Sequence, residues 1–136
     1  MKITGRCYCG QIKYEFDGEP LVAMQCHCRE CQYISGGFPN SAMVLPNDGF
    51  RFVQGEPKTF TRTDIESPRT RLFCANCGTS LATKSPKFPT GIVVKVGTFD
   101  DPSVFKPEFA QYMKDAPHFH HVPDELQAYR ETKASG

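Results

Sequence analysis

The chain reads as short alternations of apolar and polar residues, not as helical stripes. Ile12, Tyr14 and Phe16 alternate with Gln11, Lys13 and Glu15, the period-two signature of a strand with one face buried. Further strands are expected at residues 21–25, 41–45, 50–54, 58–63, 69–73, 80–84 and 92–96. Glycine and proline fill nearly every gap, as in Gly18-Glu19-Pro20, Pro46-Asn47-Asp48-Gly49, Gly55-Glu56-Pro57 and Ser67-Pro68, where they set turns. Short strands at such spacing predict an all-β domain with little helix. Two helical segments are expected. Residues 29–35 make about two turns with Gly36 as the stop. A short C-terminal helix follows Asp124, whose spacing to Gln127 resembles a capping box. Residues 1–130 are read as one domain and residues 131–136 as a flexible tail.

Composition narrows the class. With 136 residues, 39% of them hydrophobic, the chain is small enough to profit from metal staples. Eleven Phe and five Tyr without Trp point to a core of phenylalanine and β-branched residues. No apolar run approaches membrane-spanning length. A formal charge of +1 argues against a polybasic nucleic-acid surface. Local basic positions (Arg69, Arg71, Lys84 and Lys87) are either solvated strand faces or a cradle for a carboxylate-bearing ligand.

The cysteines carry the chemistry. Seven of them fall as Cys7 and Cys9, then Cys26, Cys28 and Cys31, then Cys74 and Cys77. Disulfides explain this poorly: the count is odd, the close spacings close strained rings, and the N-terminus has no secretory apolar region. A reducing, cytoplasmic setting is expected instead. A redox reading of Cys74 and Cys77 lacks the βαβ context it needs. Zinc fits, because it takes four tetrahedral ligands when structural and keeps a corner open when catalytic. Gly10 follows Cys9 and Gly78 follows Cys77, so the two pairs look like matching knuckles whose turns aim N–H groups at sulfur. Together Cys7, Cys9, Cys74 and Cys77 are expected to form a closed, structural zinc site. Cys26, Cys28 and Cys31 are expected to form an open, catalytic one at a helix N-terminus, where the dipole favours thiolate. Two zinc ions per chain follow. His27 is expected to turn its ring away from the metal between its two cysteine neighbours. Arg29 either helps an anionic substrate or is solvated. His118, His120 and His121 either bind metal or act as a base, or, as is commoner, are solvated in a surface loop.

The order Gly5-x-Cys7-x-Cys9-Gly10, Cys26-His27-Cys28-x-x-Cys31 with Ser35-Gly36, Phe73-Cys74-x-x-Cys77-Gly78 and Gly97-Thr98-Phe99-Asp100-Asp101-Pro102 resembles the glutathione-dependent formaldehyde-activating enzyme (Gfa) family, which includes the centromere protein V type. The resemblance spans about Gly5 to Tyr129. It implies a zinc-stabilised small β-sheet domain, with Cys7, Cys9, Cys74 and Cys77 on a structural zinc and Cys26, Cys28 and Cys31 on a catalytic one. It also implies a zinc-dependent carbon–sulfur lyase-type enzyme that joins glutathione and formaldehyde into S-hydroxymethylglutathione. Gln111 stands where the family usually has histidine, and His118 where it has tryptophan. A small-molecule thiol such as glutathione is the expected partner, with neither nucleic acid nor membrane. The alternative is a non-catalytic zinc module that recruits a protein partner; a thiol-redox sensor is a third reading.

Overall fold

The computed structural model describes residues 1–133; the last three residues of the expected tail lie outside the described residues. The domain is mostly β. Among the described residues the strands are β1 (Lys2–Arg6), β2 (Lys13–Asp17), β3 (Val22–Cys26), β4 (Asn40–Pro46), β5 (Phe50–Gln54), β6 (Lys58–Thr61), β7 (Thr70–Phe73), β8 (Ser80–Lys84), β9 (Gly91–Lys95), β10 (Phe109–Gln111) and β11 (Gln127–Ala128). One α-helix, α1 (Arg29–Ser35), leaves β3. The strands form a three-stranded sheet ordered β1-β2-β5 and an eight-stranded sheet ordered β11-β10-β3-β4-β9-β8-β7-β6. Pairing is antiparallel except where β10 runs parallel to β3 and β11.

The register sorts the larger sheet into two faces. Ala23 opposes Met43, Met43 opposes Val94, Val94 opposes Ala82 and Ala82 opposes Leu72. These residues pack with Ile3, Tyr14 and Phe16 of the small sheet as the main core. The opposite face carries Gln111, Cys26 and Asn40 in one row, and Phe109, Met24, Ala42 and Lys95 in the next. Val93, Thr83 and Arg71 follow on that same face. Met24, Ala42, Val44, Val93 and Phe109 make a second apolar cluster there. Strand β9 is buried on both faces, which explains why its sequence is a nearly continuous apolar run.

The two sheets meet closely at Gly5. A Cβ there would lie 2.3 Å from the Tyr14 ring and 2.5 Å from the Thr98 carbonyl oxygen, so only glycine fits. Buried Tyr14 donates its hydroxyl to Thr98 Oγ1 at 2.6 Å, because Thr98 Oγ1 itself donates to the Lys95 carbonyl at 2.7 Å. Burial pushes the Tyr14 phenol above its ordinary pKa.

The predicted helix at residues 29–35 forms with those bounds, and Gly36 ends it in the left-handed region at φ 83°. The helix expected after Asp124 does not form. Leu126 N–H closes a turn on the Pro123 carbonyl, and the chain then runs as β11 beside β10, with Tyr129 N–H donating to the Ala110 carbonyl. Tyr129 lies edge-on against Phe109, so tertiary pairing overrides the local capping signal. Beyond β11, Glu131 accepts from Tyr112 N–H through its carbonyl and pairs with Lys114. Among the described residues no helix is long and apolar enough to cross a membrane.

Candidate metal centres

The ends of β1 and β7 deliver the first centre. Cys7 follows β1 and Cys74 follows β7 directly, and both are buried. The sulfurs of Cys7, Cys9, Cys74 and Cys77 all lie within 4.8 Å of one another. Each pair sits in a turn closed by a left-handed glycine, three residues after the first cysteine in one and four in the other. Gly10 N–H donates to the Cys7 carbonyl and Gly78 N–H to the Cys74 carbonyl, and the two glycines have φ of 82° and 78°. Ile12 N–H points at Cys7 Sγ at 3.3 Å. Thr79 ties the pairs together, accepting from Tyr8 N–H while its hydroxyl lies 3.1 Å from Cys77 Sγ. That hydroxyl, followed by the backbone N–H of Thr79, lowers the Cys77 thiol to about 5.

The second centre lies where β3 passes into α1. Cys26 ends β3, Cys28 caps the helix, and Cys31 sits in its first turn with its N–H 3.4 Å from Cys28 Sγ. These three sulfurs also lie within 4.8 Å of one another. Hydrogen bonds from Cys26, then Cys31, pull Cys28 down to about 2, while Cys31 is pushed far up by its bonds to Cys26 and Cys28. Like charges this close do not all ionise unaided. A divalent cation lets all three thiols ionise, and the all-sulfur donor set suits a borderline-soft metal. Both clusters can hold a metal ion.

The triplet faces a cavity of about 360 Å³ on the second face of the large sheet, a volume in the range of small-molecule sites. Cys26, Cys28 and Cys31 line it together with Arg69, Arg71 and Lys95. Lys87 and Lys114 also reach it, whereas Lys84 belongs to a different, more open hollow beside Phe50 and Phe52. Arg71 donates to Glu30 at 3.2 Å and to Thr83. Arg29 lies over the Tyr33 ring, 5.0 Å from its centroid.

The histidines depart from expectation in part. His118 and His121 are exposed, but His120 is buried. Its Nδ1 lies 2.9 Å from Nδ1 of fully buried His27, and its Nε2 lies 2.6 Å from the Gly37 carbonyl. His120 must donate to Gly37 from Nε2, so its Nδ1 accepts from His27 Nδ1–H. Burial, then the neighbouring His120, lowers His27 to about 4. His27 thus turns its ring away from the sulfurs, as the spacing predicts, and fastens the helix entry to the C-terminal loop. Gln32 does similar work, donating from Nε2 to the carbonyls of His27 and Asp115.

Three of the residues around these centres escape a reading of motifs. Gln32 and Thr79 are polar residues in ordinary positions, and only the fold brings their partners to them. Lys95 carries a signal: it is a lysine in the apolar run Ile92-Val93-Val94-Lys95-Val96, at a position the pairing buries.

The sequence model of one protein family, described as glutathione-dependent formaldehyde-activating enzyme, matches residues 2–115. No curated protein matches. Among solved structures, the crystal structure of a Rhodobacter sphaeroides protein from a structural genomics programme is similar, with a TM-score of 0.60 at 17% identity, covering 93% of this chain and 98% of that one. At that identity the likeness shows the fold alone.

Proposed function

The chain belongs to the glutathione-dependent formaldehyde-activating enzyme family, and from that premise we propose that it is a zinc-dependent carbon–sulfur lyase-type enzyme acting on a thiol–aldehyde adduct. Cys7, Cys9, Cys74 and Cys77 would hold a structural zinc, and Cys26, Cys28 and Cys31 a catalytic one. The observation that carries this reading is that the three-sulfur cluster, and with it an incomplete ligand set, opens on a cavity of ligand size. Bound there, zinc supplies the positive charge that keeps a coordinated thiol ionised near neutral pH.

The substrates of this reading are glutathione and formaldehyde, or a related thiol and aldehyde. A bond forms between the thiolate sulfur and the carbonyl carbon, the C=O π pair moves to oxygen, and that oxygen takes up a proton. The product is S-hydroxymethylglutathione, and the reverse direction breaks the same C–S bond. Half-buried Cys28 at the head of α1 would hold the metal beside the cavity. Gln32 and the His27–His120 pair fix the backbone on either side of Cys28. Free thiols suit the reducing cytoplasm.

The test compares adduct formation by the zinc-loaded wild type, Cys28→Ser and buffer alone, since thiols add to formaldehyde unaided. The expected result is a rate above buffer for the wild type and none for Cys28→Ser. Wild-type protein that adds nothing to the spontaneous rate removes the enzymatic reading.

A further inference from the structure

Lys95 presents a problem that sheet packing does not resolve. Its side chain is 8% exposed, and among the described residues its Nζ is a buried nitrogen with no hydrogen-bond partner. A buried ammonium without a partner is among the costliest arrangements a fold can hold. The neighbouring cations are better served. Arg71 is engaged by Glu30 and Thr83, and Lys114 by Glu131. Lys95 shares a face with Cys26, Val93 and Arg71 and lines the triplet cavity. Its backbone is immobilised by the Tyr14–Thr98 chain that ends on its carbonyl oxygen. Such a fixed, unpaired donor beside a ligand-sized cavity is what an anion-binding site looks like before its anion arrives.

We propose that Lys95 is the anion receptor of the triplet cavity, donating from Nζ to a negatively charged oxygen of the thiol that occupies it. The lining favours this. Six basic side chains (Arg29, Arg69, Arg71, Lys87, Lys95 and Lys114) face the cavity against the two carboxylates of Glu30 and Asp115, and Glu30 is already paired with Arg71. Burial lowers Lys95 to about 8. The anionic oxygen has two possible sources: a carboxylate carried by the thiol, or the oxygen that becomes negative when a thiolate adds to an aldehyde. The second source rests on the lyase reading above; the first does not.

The experiment compares zinc-loaded wild type with Lys95→Met, which keeps the length of the side chain without the charge. Calorimetry measures the binding of 3-mercaptopropionate against 2-mercaptoethanol, thiols that differ by one carboxylate. If the carboxylate is the source, wild type prefers the acid by roughly 10-fold or more and Lys95→Met loses the preference. If the adduct oxygen is the source, neither protein shows a preference. The rate of adduct formation from 2-mercaptoethanol and formaldehyde then falls roughly 10-fold or more in Lys95→Met at unchanged KM. The melting temperature of Lys95→Met should equal or exceed that of wild type, because an unpaired buried charge is gone. Unchanged binding preference together with an unchanged rate overturns the proposal, as does a melting temperature well below wild type with both functions intact. Should the methionine variant fail to fold, Lys95→Gln takes its place under the same outcomes. A wild type that adds nothing to the spontaneous rate ends the lyase reading alone, and the binding comparison still decides the role of Lys95.

Discussion

Cys7 and Cys74 are sealed at the junction of two sheets, whereas Cys28 stands half-exposed at the wall of a cavity. Both centres use cysteine sulfur at the same close spacing. They differ in what the chain does around them. The quartet draws on two segments 65 residues apart, each held by a glycine turn, so its metal would close a long loop and join β1 of the small sheet to β7 of the large one. The triplet comes from one short stretch at a strand–helix junction and joins nothing distant. On the proposed assignment a metal on the quartet would stabilise the fold, while a metal on the triplet would add little to it and leave a corner for a ligand. On that assignment connectivity, more than ligand type, would separate the staple from the workplace.

The sharpest way to break this comparison is to remove one ligand from each side. Cys74→Ser should be the most damaging change. Structural zinc contributes an apparent ~10 kcal/mol or more to folding, which matches or exceeds the whole stability of a domain this size. We expect no cooperative melt by circular dichroism and loss of the structural equivalent of zinc by elemental analysis. A folded Cys74→Ser protein would contradict the structural assignment of the quartet.

Cys28→Ser should behave otherwise. We expect a folded protein with a cooperative melt, one zinc equivalent in place of two, and adduct formation reduced to the spontaneous rate. In the wild type a mild chelator should remove one equivalent well before the other while the fold persists. Two equivalents that leave together would favour a non-catalytic module with two closed sites.

How much of this division could be read in the chain beforehand depends on how local the signal is. The 2 + 3 + 2 grouping of cysteines and the glycines after Cys9 and Cys77 are local, and they foretold both the partners and the glycine turns. Period-two alternation found β2 and β5 for the same reason, and Gly36 marked the end of α1. Signals failed where the partner is distant. Strands β10 and β11 have three residues and two, too few to show a period; β10 forms on the edge of β3, and β11 on the edge that β10 then offers. The Asp124 capping signal lost to that same edge. His120 lies between exposed Phe119 and exposed His121, so nothing nearby foretold that its ring would meet His27, 93 positions away.

The His27–His120 pair offers a test of intermediate size. His120→Ala removes the acceptor of His27 Nδ1–H and the donor to the Gly37 carbonyl, leaving a buried donor unsatisfied. We expect a loss of about 2–4 kcal/mol, read by denaturant titration. Retention of the triplet zinc should weaken, because the backbone at His27 runs between two of its ligands. Quartet zinc should be held as before.

The smallest expected effect concerns a side-chain contact that reaches from one centre toward the other. Glu30 lies between Cys28 and Cys31, and Arg71 lies on β7 three residues before Cys74. Their ion pair spans 3.2 Å, with the Arg71 side chain 13% exposed and that of Glu30 41% exposed. Glu30 is open enough for water to screen it, so the pair is worth little on its own, about 0.5–1 kcal/mol. Glu30→Gln retains a hydrogen-bond acceptor for Arg71 and removes only the charge. If the two centres are independent, this variant should melt within a few degrees of wild type, and a chelator should take quartet zinc from it at the wild-type rate. The free guanidinium charge should strengthen the cavity's hold on 3-mercaptopropionate a few-fold at low salt, with the gain fading as ionic strength rises. Faster release of quartet zinc from Glu30→Gln would show instead that the ion pair couples the centres, and that staple and workplace act as a single unit.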